Sequence, residues 1–303
     1  MPVAANAANG KAGSIQATGN GKQLTFKGKD FAIGFDLEKG LLSHYTLKGQ
    51  ELLQQGPQPA FWRAPTDNDI GAGYNRNLRN WRNAYEQGTG LTTSFTKTAE
   101  GYEVLIAKKI MNGDALAEQT FTIYGDGAIK VENRFKAISG THKLWYRVGN
   151  DLRVNQQLNK IRFYGRGPWE NYWDRKTASP VGIYSQTVDE QYFPYARPQE
   201  SGNKSDVRWV TLTNQQGKGL RFEMADSLLN FAALPYSLDD LDPEVNKKQY
   251  HSGELVKRNE IYMHVDLQQS GVQGIDSWGS QPLEQYRIPY TNHQYSYWIK
   301  PIR

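Results

Sequence analysis

Cysteine is absent from the 303-residue sequence, which excludes disulfide bridges, thiolate metal sites and cysteine nucleophiles. Long apolar runs are absent too, and none approaches the ~18 residues of a membrane-spanning helix, so we expect no membrane partner. The N-terminal stretch MPVAANAANGKAGS lacks the apolar core of a signal peptide. We therefore predict a flexible polar tail over residues 1–20, followed by folded protein.

No block of one charge sign stands out either. The 36 Lys and Arg residues are interleaved with 31 Asp and Glu residues, for a net charge of +5. The densest basic stretch, residues 74–85, places Arg76, Arg79 and Arg82 on one face of a predicted short helix around residues 78–85. A nucleic-acid site would need exposed stacking aromatics beside such a stripe. We interpret it as a solvated face opposite buried Trp81, and expect no nucleic-acid partner.

Motifs of the common catalytic classes are missing. The sequence has no Gly-x-Ser-x-Gly, no His-Glu-x-x-His and no Walker loop. The five histidines occur singly. His264 alternates with Tyr262 and Asp266 on one face of a predicted strand, which makes it the best acid–base candidate.

What the sequence does contain is period-two alternation, which is typical of half-buried strands. FAIGFDLEKG and LLSHYTLKG predict a hairpin over residues 31–49, and similar segments recur to the end of the chain. Only residues 78–85 and 237–245 have a helical pattern. Because no linker or repeat divides the chain, we predict one all-β domain over residues 21–303, an antiparallel sandwich.

Acidic residues are concentrated in FWRAPTDNDIG, residues 61–71, where Asp67, Asn68 and Asp69 follow Arg63. An EF-hand needs oxygen ligands at loop positions one, three and five and Glu at position twelve. Counted from Asp67, position five is a glycine and position twelve a leucine, so the EF-hand register fails. Local turn chemistry is favoured over ion binding, and we expect no metal site.

Two carboxylate pairs have spacings that a glycosidase could use. Asp67 and Asp69 would lie on one face of a strand about 5 Å apart, as would Glu170 and Asp174. Each pair has an arginine nearby in the sequence, which predicts ion pairs, whereas a general acid needs a raised pKa. We therefore favour a structural network over a catalytic pair.

Aromatic residues beside polar groups suggest carbohydrate contacts, because sugars present apolar faces ringed by hydroxyls. GRGPWENYWDR, residues 165–175, contains Trp169 and Trp173, which suit a sugar site or the core equally. Trp278 follows Asp276 among Gly, Ser and Pro residues. We predict that this tryptophan is exposed on a loop and available for stacking.

Four stretches in this order, FWRAPTDNDIG, GRGPWENYWDR, RPQESGNKSDVRW and DSWGSQP, resemble the C-terminal domain of family 2 β-galactosidases, which some bacteria make as a separate small chain. The resemblance extends from about residue 21 to residue 302. It implies a large antiparallel supersandwich like that of galactose mutarotases.

The resemblance also implies where the chemistry lies. The two catalytic glutamates of the family belong to a TIM-barrel domain, whose pattern this chain lacks. The expected partners are that barrel, in the same chain or in a separate large chain, and a galactoside substrate. We expect no cofactor and no activity from this chain alone.

The family carries a tryptophan that stacks on the sugar, which corresponds here to Trp278, with Asp276 beside it. The other matching residues have no direct catalytic role in the family and are predicted to be structural or to lie at the interface: Arg63, Asp67, Asn68, Asp69, Glu170, Asn171, Tyr172, Arg175 and Glu200.

Two alternatives stay open at the level of sequence. One is a stand-alone aldose epimerase that uses His264 with an unidentified partner. The other is a non-catalytic carbohydrate-binding module. The predicted localisation is the bacterial cytoplasm or periplasm.

Overall fold

The computed structural model describes residues 10–11, 13–246, 250–272, 274–276 and 278–303. In chain order the strands are β1 (Gln16–Gly19), β2 (Gln23–Lys27), β3 (Phe31–Asp36), β4 (Leu41–Leu47), β5 (Gln50–Ala60), β6 (Thr89–Lys97), β7 (Gly101–Ile110), β8 (Ala115–Tyr124), β9 (Ile129–Ala137), β10 (Leu144–Trp145), β11 (Arg147–Asn155), β12 (Lys160–Arg166), β13 (Val181–Thr187), β14 (Lys204–Val207), β15 (Trp209–Thr213), β16 (Gly219–Met224), β17 (Leu229–Leu234), β18 (Glu260–Gln269), β19 (Ile288–Pro289) and β20 (His293–Ile302). The short α-helices are α1 (Asp67–Gly71), α2 (Tyr74–Asn77), α3 (Val188–Gln191) and α4 (Leu238–Leu241).

Two nine-stranded sheets contain almost all of these strands. The first sheet has the order β1-β2-β3-β4-β5-β11-β18-β17-β14, and the second has β13-β12-β15-β16-β20-β9-β8-β7-β6. Neighbouring strands run antiparallel in both sheets. The prediction of an all-β antiparallel sandwich is confirmed.

The alternating segments form the strands predicted for them. The hairpin of β3 and β4 pairs Phe31 with Leu47. Its turn contains Gly40 at φ 67°, a backbone conformation that glycine adopts without steric cost. Along β3, Phe31, Ile33 and Phe35 are all buried, as the period-two pattern requires.

The core lies between the two sheets. Phe35 of β3 packs edge to face against Phe121 of β8, with 5.2 Å between ring centroids. The hydroxyl of Tyr297 on β20 donates to Asn150 Oδ1 on β11 at 2.8 Å, so polar atoms between the sheets are paired as well. Each buried side chain of this size contributes about 1.5–3 kcal/mol. The packed core makes the opposite face of the first sheet a rigid support for other groups.

Folded structure begins before the predicted boundary at residue 21. β1 pairs with β2 and places Ala17 opposite Phe26. The predicted limit of the tail at residue 20 is therefore too late. β1 is largely exposed, so it carries little of the apolar alternation that reveals a strand.

Helical structure around residues 78–85 is limited to a 3-10 helix at Arg79–Trp81. Trp81 is buried as predicted. The basic stripe does not form a free solvated face, because Arg79 Nη1 and Arg82 Nε each donate to the buried carboxylate of Asp242 at 3.0 Å. Two of the three arginines therefore hold this segment against a loop 160 residues away.

The second predicted helix, over residues 237–245, is shortened to α4. Ser237 caps its N-terminus by accepting from Asp240 N. The helix ends at Leu241, and Asp242 is extended ahead of Pro243 because a residue before proline avoids the helical conformation. Within the described ranges, none of the helices has the length and apolar character needed to cross a bilayer.

Candidate functional site

The four stretches that were distant in sequence contact one another in the fold. The fourth stretch, residues 276–282, is joined to the first through the segment that precedes it, and we call residues 61–71, 165–175, 197–209 and the described part of 270–282 together the motif cluster. Their contacts are mostly hydrogen bonds and ion pairs between side chains of one stretch and groups of another.

The centre of the first stretch is a buried ion pair. Arg63 Nη2 lies 3.0 and 2.9 Å from the two carboxylate oxygens of Asp69, and both residues are buried. Asp69 Oδ2 also accepts from the Thr66 backbone N and hydroxyl, at 2.8 and 2.9 Å, which completes the capping box of α1. The Asp69 carboxylate is therefore fully used by the ion pair with Arg63 and by the N-terminal cap of α1.

The same guanidinium holds the segment that leads into the fourth stretch. Arg63 Nη1 donates to the carbonyl of Ser270 at 2.5 Å, and Nη2 donates to the carbonyl of Gly271 at 3.1 Å. Asn68 Nδ2 donates to the carbonyl of Val272 at 3.2 Å. Three successive carbonyls after β18 are therefore fixed by the first stretch.

The loop that follows returns to the first stretch. A Cβ placed on Gly71 would lie 3.1 Å from Gly279 Cα, so the two backbones are in direct contact. Between these anchors, Asp276 Oδ1 accepts from Trp278 N at 2.9 Å, and its Oδ2 accepts from the Ser280 hydroxyl at 2.8 Å. Hydrogen bonds from the Ser280 hydroxyl and from the backbone N–H groups of Trp278 and Ser280 lower the pKa of the Asp276 carboxyl.

Trp278 is 92% exposed, which makes it one of the most exposed large apolar side chains in the described part of the chain. Asp276 shapes the turn that carries it. Ser277, between them, lies outside the described residues. The role of Trp278 and Asp276 in sugar binding stays a prediction.

Asp67 and Asp69 do not share a strand face, because residues 67–71 form α1. That expectation was wrong. Asp67 instead pairs with the third stretch: the Arg197 guanidinium contacts Oδ1, and Gln199 Nε2 donates to Oδ2 at 3.0 Å. The two acids have separate partners, so they do not form the closely spaced pair that glycosidase chemistry requires.

The second stretch is joined to the third through Glu170. Its Oε1 accepts from the Arg175 guanidinium and the Tyr195 hydroxyl, and its Oε2 accepts from Gly202 N at 2.8 Å. The Arg175 guanidinium also lies over the Tyr172 ring, 5.2 Å from the centroid. Glu170 therefore links the second stretch to the third through three donors.

Asn171 is fully buried and makes a second set of links. Its backbone N donates to the Asn203 carbonyl at 2.8 Å, and Asn203 Nδ2 donates to the Asn171 carbonyl at 2.7 Å. Its Oδ1 accepts from Ser205 N at 3.0 Å. Its Nδ2 donates to the carbonyls of Arg166 and Trp169 at 3.0 and 3.1 Å, so an amide that both donates and accepts is needed here, and an acid would leave these two acceptors unmatched.

Glu200 differs from the other acids of the motif cluster. It is buried, and its one hydrogen bond among the described residues is a 3.4 Å contact from the Tyr172 hydroxyl. Burial raises the pKa of this carboxyl to about 7. Glu200 also lines a cleft of about 320 Å³, together with His264 and Tyr262.

Sequence reasoning missed the ion pair at the base of this cleft. Arg147 Nη2 lies 2.8 Å from Asp266 Oδ1 and 2.6 Å from Asp151 Oδ1. His264 is packed close by, with Nε2 3.3 Å from Asn203 Oδ1. Burial, together with the nearby cations, lowers its pKa well below the usual value, so the ring is neutral near pH 7.

No group of three or more His, Asp and Glu residues is arranged to hold a metal ion in the described ranges. The acids of the motif cluster are used by arginines, backbone N–H groups and hydroxyls. The contacts of the motif cluster therefore have a structural role, because they fix the backbone around the exposed Trp278.

Comparison with known sequences agrees with this geometry. The family model of the β-galactosidase small chain matches residues 27–300. A β-galactosidase of Priestia megaterium is 34% identical over 285 residues, which cover 93% of this chain and 27% of the relative. A β-galactosidase of Lactobacillus delbrueckii subsp. bulgaricus is 35% identical over 261 residues, 85% of this chain and 25% of the relative. The chain thus spans about a quarter of the length of these relatives.

Solved structures of similar fold include sugar epimerases. Galactose 1-epimerase from Lactobacillus acidophilus has a TM-score of 0.53 at 7% identity, covering 95% of this chain and 98% of the epimerase. An aldose epimerase homologue from C. elegans has a TM-score of 0.51 at 9% identity, covering 96% of this chain and 99% of the homologue. These similarities establish the galactose-mutarotase-like supersandwich and carry no function. On the family model and the two sequence relatives, this chain belongs to the β-galactosidase small-chain family.

Proposed function

We propose that this chain is the C-terminal module of a bacterial family 2 β-galactosidase and that it presents Trp278 to a galactoside held by a separate catalytic barrel. The proposal rests on the contacts that hold the loop backbone on either side of Trp278. Arg63, Asn68 and Gly71 fix or contact the loop backbone on both sides of a side chain that is 92% exposed.

Exposed apolar side chains that lie together are typical of surfaces that bind a ligand or a partner, and Trp278 is the largest of those near the turn. Its flat apolar face suits the apolar face of a sugar ring, and stacking of this kind adds binding energy beyond the buried area. Ile275 and Leu283, which flank the turn, are 82% and 52% exposed. The described part of the segment 275–283 thus carries three exposed apolar side chains.

Two further exposed apolar residues lie near Glu170 of the motif cluster. Trp169 is 58% exposed and Phe193 is 51% exposed, and both lie beside the Glu170–Tyr195 contact. Apolar patches rimmed by polar groups are typical of protein interfaces. We propose that the catalytic part of the enzyme docks here, since about three quarters of the length of the relatives is outside this chain.

Three acids of the motif cluster have hydrogen-bond partners that suit a structural role and not a catalytic one. Asp67, Asp69 and Glu170 each accept from an arginine and from further donors. Hydrolysis with retention needs one carboxyl that is protonated and one that is free to attack. In the proposed enzyme both carboxyls belong to the barrel, and this module contributes binding and assembly.

Reconstitution tests the proposal directly. This chain alone is expected to release no product from a chromogenic β-galactoside, and mixing or fusing it with the catalytic part should restore hydrolysis. Turnover by the isolated chain would contradict the proposal, and so would full activity of the catalytic part without this chain.

A further inference from the structure

The cleft lined by Glu200 and His264 opens on the face of the first sheet that points away from the sandwich core. On β11, Leu152 and Val154 are buried in the core, whereas Asp151 and Arg153 alternate with them and point to the other side. The cleft has a volume of about 320 Å³. Its lining includes residues of the segment 81–86 and of the segment 232–241.

The floor of the cleft is a patch of polar side chains set by strand register. Asp151 on β11 is paired with Gln58 on β5 and with His264 on β18. The next row pairs Arg153 with Gln55 and with Tyr262. Because neighbouring strands are about 4.8 Å apart, each row spans roughly 10 Å. Polar groups at this spacing can contact several positions of one small molecule.

Several of these groups have hydrogen-bonding capacity left. Asp151 Oδ1 accepts from Arg147, but Oδ2 has no partner among the described residues. Glu200 accepts one 3.4 Å bond within the same part of the chain. Arg153 contributes donors, since its nearest carboxylate, that of Glu260, is 3.9 Å away and its side chain is 47% exposed. The cleft thus offers acceptors and donors side by side.

Charge in the cleft is balanced. Arg147 is neutralised by Asp266 and Asp151, and Arg82 is neutralised by Asp242. An anionic ligand would find no unpaired buried cation, and a metal ion would find no group of three acidic or histidine ligands in the described residues. Hydroxyl groups donate and accept at the same time, so they match the remaining acceptors and donors of the cleft.

We propose that this cleft binds one neutral monosaccharide, whose hydroxyls donate to Asp151 and Glu200 and accept from Arg153. Its volume lies at the small end of ligand pockets, which span about 300–1,000 Å³ and fit a single ring better than a chain. The site is distinct from the loop that carries Trp278, which is not among its lining residues. Occupancy of the cleft does not depend on the proposed hydrolytic function.

Calorimetric titration of this chain with methyl β-D-galactoside and methyl β-D-glucoside tests the site. We expect saturable one-to-one binding of at least one of the two. Asp151→Ala should weaken that binding at least tenfold, because the variant removes the acceptor at the centre of the floor. Arg153→Ala removes the donor in the next row and is a second variant whose side chain is half exposed, so the fold tolerates its loss.

Two further variants show whether the sugar binds in the cleft. Glu103→Ala changes an exposed acid on β7, in the other sheet, and should leave the affinity unchanged. Trp278→Ala separates the cleft from the loop, because loss of binding in this variant alone would place the sugar on the loop. Absence of saturable binding by the folded chain would overturn the proposal, as would affinity that survives both cleft variants or that is lost only with Trp278→Ala. Loss of hydrolysis in the complete enzyme is a separate result that tests the proposed function alone.

Discussion

The backbones of Gly71 and Gly279 touch. A Cβ on Gly279 would lie 2.4 Å from the Gly71 carbonyl oxygen, and Gly279 has φ 115°, a conformation that other residues rarely adopt. The contact places the end of FWRAPTDNDIG directly against the residue that follows Trp278. The stretch that looked most like a catalytic centre in the sequence is therefore the support of a distant loop.

Gly279→Ala should displace this loop without unfolding the domain. The added methyl group cannot fit against the Gly71 carbonyl, so KM for a β-galactoside should rise in the complete enzyme. Gly217→Ala is the matched control, because Gly217 also has positive φ, at 76°, but has open space around it. If both variants change KM equally, backbone strain and not the contact is responsible.

Trp278→Ala should weaken substrate binding in the complete enzyme by about 1 kcal/mol, a roughly fivefold rise in KM, if one stacking contact is lost. The free energy of unfolding of this chain should stay unchanged, since the side chain is 92% exposed and packs against little. Steady-state kinetics and urea denaturation measure the two quantities. Phe95→Ala, which changes an exposed aromatic residue on β6 in the other sheet, should leave KM unchanged. Kinetics unaffected by Trp278→Ala would remove this residue from the sugar site.

Asp69→Ala should destabilise the domain by about 3–5 kcal/mol, because it leaves the buried guanidinium of Arg63 without its counter-ion. Urea denaturation measures this loss. Asp67→Ala is the neighbouring control, since the Asp67 side chain is 60% exposed and should cost far less. Equal losses in the two variants would contradict a special role for the buried pair.

Glu200 should make stability depend on pH. In the folded chain the pKa of this carboxyl is raised from an ordinary value of 4.5 to about 7. Between pH 4.5 and pH 7 the native state therefore binds more protons than the unfolded state. The stabilisation is complete below pH 4.5 and is lost as the pH rises through 7, with a slope of at most about 1.4 kcal/mol per pH unit.

The comparison with Glu200→Gln isolates this contribution from those of neighbouring groups. The difference in free energy of unfolding between the wild type and the variant should fall between pH 4.5 and pH 7. Glu103→Gln, at an exposed position, should show no such trend. A constant difference for Glu200→Gln across this range would rule out the proton linkage.

The strands were predictable because each buries one face. FAIGFDLEKG and EIYMHVDL alternate apolar and polar residues, and the structure places them in β3 and β18. The same alternation indicated that Tyr262 and His264 share a face, and both line the cleft.

The partners of the polar residues were not predictable in the same way. Arg147 and Asp266 are 119 positions apart, and no local pattern connects them. Assigning Asp67 and Asp69 to a strand overlooked a signal that was present: a Thr three residues before an acidic residue is typical of a capping box. Thr66 and Asp69 form that box.

The long reach of the Arg63 contacts has a consequence for biosynthesis. This side chain holds carbonyls that are 207 and 208 positions further along the chain. Contacts between such distant residues form late in folding, because the intervening chain must first be ordered. The surface that carries Trp278 therefore takes shape only after β18, the last strand of the first sheet along the chain, has been made, so recognition of this surface also reports that the first sheet is complete.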